Sequence, residues 1–334
     1  MLSIELIRQS PDTVKEALER KGEEGLLEAI LSLDVERRSI LTEVENLRAN
    51  RNQVSKELGR MSERPAHLVE EMRQTGERIR VLEERVREVE ARLDEQLLTL
   101  PNLPLPDVPP GTDESANIVV QTWGELRDFD FSPLPHWDLG ERLGIIDFSR
   151  GSKLSGSRFF TLSGAGASLQ RALISWMLDL HTQEHGYQEV YLPYLVTRDT
   201  ATGSWLPRFT DTMYHDEEDD LWLVPTAEVP ITSLHGEEIL DPGTLPLNYV
   251  SHTPCFRREK MSAGRGVRGM KRGHQFDKVE LYKIVAPDRS DEELKTLLMD
   301  AESMAQSLGI PYRVLQLCMG DLGFAAAEFV RRTI

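Results

Sequence analysis

Residues 253–280 read TPCFRREKMSAGRGVRGMKRGHQFDKVE and carry eight Lys and Arg against three acids, in a chain whose formal net charge is -17. Positive charge concentrated within an acidic protein points to a local anion. Two extended runs, 250–259 and 274–285, flank a loop containing Gly264, Gly266, Gly269 and Gly273, which predicts an antiparallel hairpin with a long connection. Side chains alternate along a strand, so Arg257 and Glu259 are expected on one face, and Phe276, Lys278 and Glu280 likewise. Such a surface could stack a purine on Phe276, neutralise phosphate with the Arg257 fork and receive an ammonium group at Glu280. The Gly- and Arg-rich loop would then close over phosphates as a lid. A solvated charged hairpin with Phe276 in the core accounts for the same residues equally well. Upstream, PTAEVP at 225–230 is expected to be extended, with Thr226 and Glu228 on one face. Thr-Ala-Glu alone is no motif.

These groups need a scaffold, and 334 residues with 40% hydrophobic and 28% charged content suit a globular protein of roughly two domains. The two cysteines, Cys255 and Cys318, form no disulfide framework and share no metal-ligand spacing with the eight histidines, which fits a reducing cytoplasm. The N-terminal MLSIELIRQSPDTVKEALERKG lacks the apolar stretch of a signal peptide, and nowhere do about 18 apolar residues follow one another. The expectation is a protein neither secreted nor membrane-inserted. A sequence pI near 5.0 argues against general adhesion to nucleic acid, so a polyanion would have to be met by local basic patches.

A short helix is expected after Ser10 as N-cap with Pro11 at its first position. Between residues 34 and 98 apolar residues recur in steps of four and three: Ile40, Val44, Leu47, Val54, Leu58 and Met61, then Leu68, Met72, Ile79, Leu82, Val86, Val89, Leu93 and Leu97. Arg51, Thr75 and Gln96 interrupt that register, and GRMSERPAH forms the turn. This spacing predicts an antiparallel coiled-coil arm of two helices. The arm holds thirteen Lys and Arg against fifteen acids, and twelve of the thirteen are Arg. Its periodicity favours a spacer or oligomerisation element, with a handle for a large partner as the alternative; Arg suits forked phosphate contacts, but pairs with Glu along the helix explain most of them as well.

A proline-rich stretch, TLPNLPLPDVPPGTDESAN, is expected to end the arm as a stiff linker. Mixed helix and strand follow: a helix near 165–185 ending at Gly186, a strand YQEVYLPYLV restricted by Pro193, strands at LWLVPT, LNYVSHTPCFRRE and HQFDKVELYKIV, a helix Ser290–Leu308 opened by a capping box, and a strand YRVLQLC.

In this order, LPNLPLPDVPPGTDESAN, HWDLGERLGIIDFSRGSKLSGSRF, GYQEVYLPYLV, TAE, HTPCFRRE with HQFDKVEL, and GDLGFAA strongly resemble seryl-tRNA synthetase, a class II aminoacyl-tRNA synthetase. GYQEVYLPYLV matches motif 1, HTPCFRRE with HQFDKVEL matches motif 2, and the likeness runs from residue 1 to about 327. The resemblance implies an α+β fold: an N-terminal tRNA-binding helical arm over 1–100, a linker over 101–120, and a catalytic domain over 121–334 built on an antiparallel sheet flanked by helices. It moves the reading of the arm from spacer to a grip on the long variable region of tRNA.

By the same resemblance Thr226, Ala227 and Glu228 match the serine-binding TAE, and Glu280 matches a second carboxylate of that pocket. Arg257, Arg258 and Glu259 match the motif 2 triplet facing the α-phosphate and adenine of ATP, with Arg257 and Glu259 as catalytic residues. Phe276 matches the ring beneath adenine. Gly273 stands at a backbone contact to the nucleotide where the family usually has an apolar residue, and its extra freedom is expected to loosen the loop. ATP with Mg2+, serine, tRNA(Ser), tRNA(Sec) as a further candidate, and a homodimer built across motif 1 complete the implied set. The implied reaction makes seryl-adenylate and then seryl-tRNA.

After GDLGFAAA the family continues with KSYDLEVW and motif 3, whereas this chain reads EFVRRTI, so the expectation is a truncated synthetase, by frameshift or otherwise, that makes little or no seryl-adenylate. A non-catalytic tRNA-binding paralogue is the alternative. A coiled-coil interaction protein without RNA is a third reading, disfavoured by the intact TAE and motif 2 residues.

Overall fold

Heptad spacing becomes two long helices. In this computed structural model, which describes residues 2–23, 25–61, 65–260 and 268–333, the chain divides into two compact units: residues 1–118 with 315–331, and 119–314 with 332–334.

In the first unit, α1 (Ile4–Gln9) is capped by Ser3, whose hydroxyl accepts from the Leu6 N–H at 3.1 Å. Helix α2 (Pro11–Arg20) starts with Pro11 in its first turn as expected, but the Ser10 side chain makes no capping bond. The long helices are α3 (Leu26–Leu58) and α4 (Ala66–Leu97). At 1.5 Å per residue each extends about 50 Å. Helix α3 begins eight residues before the predicted 34 because Leu27, Ile30 and Leu33 bury against Ile7, Val14 and Leu18, a core separate from the heptad seam. The seam itself forms around Val44, Ile79 and Leu82, flanked by Ile40 and Leu47. Met61 is 44% exposed, because α3 has already ended. Antiparallel pairing is fixed further by bridges between the helices: Glu36 meets Arg85, Glu43 meets Arg78, and Arg48 meets Glu83.

Asp34 is 1% exposed and accepts from Arg8 at 3.0 and 2.9 Å and from Arg38 at 2.9 Å. Burial alone would push its carboxyl up, and the two guanidinium groups outweigh that and hold it below the usual range.

The proline-rich stretch is not a free linker: it turns at Leu105–Val108, ends in a short 3-10 helix, Glu114–Ala116, and is tied to a later segment. The Asn102 N–H donates to Phe324 O at 2.9 Å and the Leu105 N–H to Ala327 O at 2.8 Å, while Val108 is buried with Met319 and Leu322. The Lys21 ammonium gathers the same segment, donating to the carbonyls of Asn102, Gly323, Phe324 and Ala326 at 3.0–3.3 Å.

The remaining elements, in chain order, are β1 (Ile118–Trp123), α5 (His136–Arg142), β2 (Ile146–Asp147), α6 (Phe148–Ser155), β3 (Thr161–Leu162), α7 (Ala165–Gln183), β4 (Gln188–Glu189), β5 (Leu195–Thr197), α8 (Arg198–Thr202), β6 (His215–Asp216), β7 (Leu221–Leu223), α9 (Glu228–Ser233), β8 (Leu247–Phe256), β9 (Gln275–Ile284), α10 (Ser290–Ser307), β10 (Tyr312–Gln316) and β11 (Val330–Thr333). One sheet runs β4-β8-β9, parallel at the first pair and antiparallel at the second; another runs β5-β7-β6. Helix α7 packs against β8 and β9, and α10 against β9.

Several expected boundaries shift. YQEVYLPYLV is no single strand: it divides into β4 and β5, which lie in different sheets with Pro193 between them. Strand β8 stops at Phe256 rather than 259. At α10 the capping box does not form, since the Ser290 hydroxyl donates to Pro287 O at 3.0 Å and caps nothing.

Candidate active site

Register brings the singled-out residues together. Across the β8–β9 hairpin Ser251 faces Glu280, Thr253 faces Lys278 and Cys255 faces Phe276. The three β8 side chains are fully buried beneath the longer β9 ones. Burial pushes the Cys255 thiol up, keeping it an inert floor.

Past Phe256 the chain leaves the ladder, so Arg257 and Glu259 do not share a strand face as expected. The Arg257 backbone is still held, its N–H donating to His274 O at 2.9 Å and its carbonyl lying 2.9 Å from His274 Nδ1. Its Nε donates to Pro225 O at 3.2 Å, and its guanidinium carbon lies 5.3 Å from the Phe276 ring centroid and 5.6 Å from that of Trp205. Arg258 is anchored elsewhere: Nε donates to Met213 O at 2.6 Å and the guanidinium sits 4.6 Å from the Tyr214 ring. Glu259 takes a left-handed backbone at φ 44°. Its carbonyl accepts from Arg158 Nη1 at 2.7 Å, and its carboxylate from Arg272 Nη1 at 3.3 Å.

The TAE segment is not extended. Glu228 opens α9 after Ala227 at the N-cap position, and its N–H donates to the Thr226 hydroxyl at 3.3 Å. Thr226, 1% exposed, donates in turn to Glu280, and Lys278 Nζ donates to Thr226 Oγ1 at 2.6 Å and reaches Glu280 Oε2 at 2.5 Å. Helix α9 packs against β9, and Thr232 Oγ1 lies 2.9 Å from Tyr282 Oη. Burial raises the Glu228 carboxyl, and the nearby Glu280 charge raises it further, against the opposing pull of Lys278 and Arg257.

Gly273 is buried. A Cβ there would come within 3.1 Å of Gln275 O and 3.3 Å of Arg158 O, so close approach is what the glycine permits. Gly264, Gly266 and most of the expected lid lie outside the described residues. At the loop's far end the Met270 N–H donates to His136 Nε2 at 3.0 Å, and Arg268 stands 5.2 Å from the Trp137 ring.

A cavity of about 530 Å³ is lined by Phe159, Ile174, His252, Gln275 and Asp277 and is bordered by Phe276. His252 and Asp277 belong to the hairpin face opposite Thr253 and Lys278, so this space lies mainly behind the sheet rather than over the polar cluster. Among the described residues no group of three His, Cys, Asp or Glu is arranged to hold a metal, and no helix is long and apolar enough to cross a membrane.

Lys278 lies on the Phe276 face of β9, and Trp205, Arg158 and His274 join the site beside the motif residues. The alternation of β9 carried a signal for Lys278. Nothing local marked the other three, which arrive by long-range packing.

Residues 1–104 match the family described as seryl-tRNA synthetase N-terminal domain, and residues 209–330 match the tRNA synthetase class II core domain (G, H, P, S and T). The serine-tRNA ligase of Thermomicrobium roseum is 55% identical over 98% of this chain and 74% of its own length. That of Roseiflexus castenholzii is 57% identical over 98% of this chain and 78% of its own length. Among solved structures, seryl-tRNA synthetase from Pyrococcus horikoshii complexed with ATP superposes with a TM-score of 0.93 at 38% identity, covering 99% of this chain and 80% of that one. Cytoplasmic serine-tRNA ligase from Naegleria fowleri in complex with AMP gives a TM-score of 0.86 at 27% identity, over 99% of this chain and 78% of that one.

Proposed function

The chain belongs to the seryl-tRNA synthetase family, and from that premise we propose that it is a serine-tRNA ligase that activates serine with ATP and passes the seryl group to tRNA(Ser). One observation carries the reading: a single hairpin presents the Arg257–Phe276 stack beside the cluster of Thr226, Lys278 and Glu280 with Glu228 near it. The first suits a nucleotide and the second a small zwitterion.

In the first step the serine carboxylate oxygen bonds to the α-phosphorus and the bond to pyrophosphate breaks. In the second, a ribose hydroxyl of the terminal adenosine attacks the acyl carbon and AMP leaves. Arg257 neutralises charge gathering on the phosphate, and Phe276 supports the adenine plane. Glu259, oriented by Arg158 and Arg272, faces the adenine edge. Arg258, held on Met213 and Tyr214, fixes the turn that aims its neighbours. Thr226, Glu228 and Glu280, with the Ala227 backbone between the first two, receive the ammonium and hydroxyl of serine. A pocket built for that hydroxyl rejects alanine, because its own polar groups would stay unpaired.

The described residues include no cluster of three His, Cys, Asp or Glu for magnesium, and Mg2+ commonly arrives bound to substrate phosphates. The exposed Leu169, Tyr191 and Leu195 around motif 1 support a homodimer, and the arm supports a grip on tRNA(Ser). A cytoplasmic location follows from the work of charging tRNA.

Calorimetric titration tests this. Serine and ATP should each bind, serine well ahead of alanine. Equal affinity for alanine, or no binding of ATP, would overturn the assignment.

A further inference from the structure

The Lys278 ammonium occupies the place that the proposed function gives to the ammonium of serine. Its Nζ lies 2.6 Å from Thr226 Oγ1 and 2.5 Å from Glu280 Oε2. Thr226 is thereby saturated: its hydroxyl donates to Glu280 and accepts from Lys278 and from the Glu228 N–H. No lone pair of that hydroxyl is left over.

Chemically, the lysine head and the α-ammonium of an amino acid are the same group: a unit positive charge with three N–H donors. They differ in that Lys278 reaches the cluster on a flexible stem and its side chain is 30% exposed, so it can leave without disturbing the backbone. The buried floor of Ser251, Thr253 and Cys255 offers no carboxylate to hold it elsewhere. Charge also balances. Glu228 and Glu280 oppose Lys278 and Arg257, so a zwitterion enters a pocket of zero net charge. A ligand with an ammonium and no carboxylate would give the displaced lysine nothing to pair with.

Resting on the amino-acid reading above, we propose that Lys278 is an exchangeable plug: its ammonium holds Thr226 and Glu280 until the substrate ammonium displaces it, and it then turns to the substrate carboxylate. Lys278 is thus a specificity residue that makes the pocket require both ends of the zwitterion. The exchange forms and breaks only hydrogen bonds and ion pairs, and no proton changes owner.

The experiment compares serine with ethanolamine, which keeps the ammonium and the hydroxyl and lacks the carboxylate, on wild type, Lys278→Met and Lys278→Arg. Titration calorimetry gives each affinity, and a thermal melt verifies that each variant is folded. With the plug gone, Lys278→Met should bind ethanolamine about tenfold or more tightly than wild type does, while serine gains less or weakens, so the preference for serine collapses. Lys278→Arg, whose fork can grip the Glu280 carboxylate with two bonds, should weaken both ligands. If both ligands lose affinity in Lys278→Met by the same factor, Lys278 merely positions Glu280 and the plug is wrong. If Lys278→Met does not fold, the Arg variant decides alone, and unchanged affinities there overturn the proposal. Wild type that binds no serine would instead overturn the amino-acid reading itself.

Discussion

The guanidinium of Arg257 lies over the ring of Phe276, 5.3 Å from its centroid, and 5.6 Å from that of Trp205. A charge placed beside two aromatic rings is held in a fixed plane, so its fork is aimed before any phosphate arrives. Arg257→Ala should lower ATP affinity by roughly 10- to 100-fold, the range of a charge-assisted hydrogen bond. Arg257→Lys should recover little of that, since an ammonium neither stacks nor forks. Calorimetry with ATP on the three proteins reads this directly, and a lysine variant with full affinity would contradict it.

Glu228 should reveal a conflict between stability and binding. Burial and the Glu280 charge raise its carboxyl. The folded protein therefore holds that proton more tightly than the unfolded chain does, and stability falls as pH rises from the ordinary carboxylate range through the raised value. At neutral pH the ionised group is a net cost to the fold. Glu228→Gln should raise the melting temperature while weakening serine binding. A variant that melts lower would show that Glu228 is instead held by favourable partners.

His181, 4% exposed on α7, has its Nδ1 2.9 Å from Nδ1 of His185, and burial lowers its pKa to about 4, with the His185 charge assisting and Asp300 opposing. Here the unfolded chain binds the extra proton between about 6.5 and 4, so stability is complete above 6.5 and drains away as pH falls through that window. The loss is on the order of 3 kcal/mol across the window, about 2 kcal/mol of it by pH 5. Urea unfolding at pH 7 and pH 5 should show it in wild type and show less in His181→Gln. Equal slopes in the two proteins would assign the acid sensitivity to other groups.

On the arm, Arg80 bridges Glu77 and Glu84, whereas Arg51, Arg87 and Arg92 form no ion pair among the described residues. If the arm grips the tRNA backbone, these are arginines with charge to give. Replacing each with Ala should weaken tRNA(Ser) binding and reduce the salt dependence by about one phosphate contact apiece. Arg80→Ala serves as the paired control. Filter binding at several salt concentrations checks this, and an unchanged slope would remove these side chains from the interface.

How much of this was legible depended on how local the cause was. The heptads of 34–98 fixed the arm, because a period of three and four requires nothing from distant residues. The alternation of β9 put Phe276, Lys278 and Glu280 on one face for the same reason. The shape of TAE was hidden, since Glu228 starts a helix only where α9 has β9 to lie against. Ser290 had the spacing of a capping box, yet its hydroxyl found the nearer Pro287 carbonyl. Arg257 and Arg258 are identical letters side by side, and only the tertiary positions of Trp205, Met213 and Tyr214 send them to different partners.

The contacts of Asn102, Leu105 and Lys21 with residues 323–327 have a consequence for biogenesis. A nascent chain can wind α1 to α4 as soon as they clear the ribosome, but the strap that completes their unit is translated some ten to forty seconds later at usual elongation rates. Until then the proline-rich stretch has only water for its backbone, and closing so long a loop carries an entropic penalty that grows slowly with its length. The beginning of this polypeptide must wait for residues 315–331 before its first unit is whole.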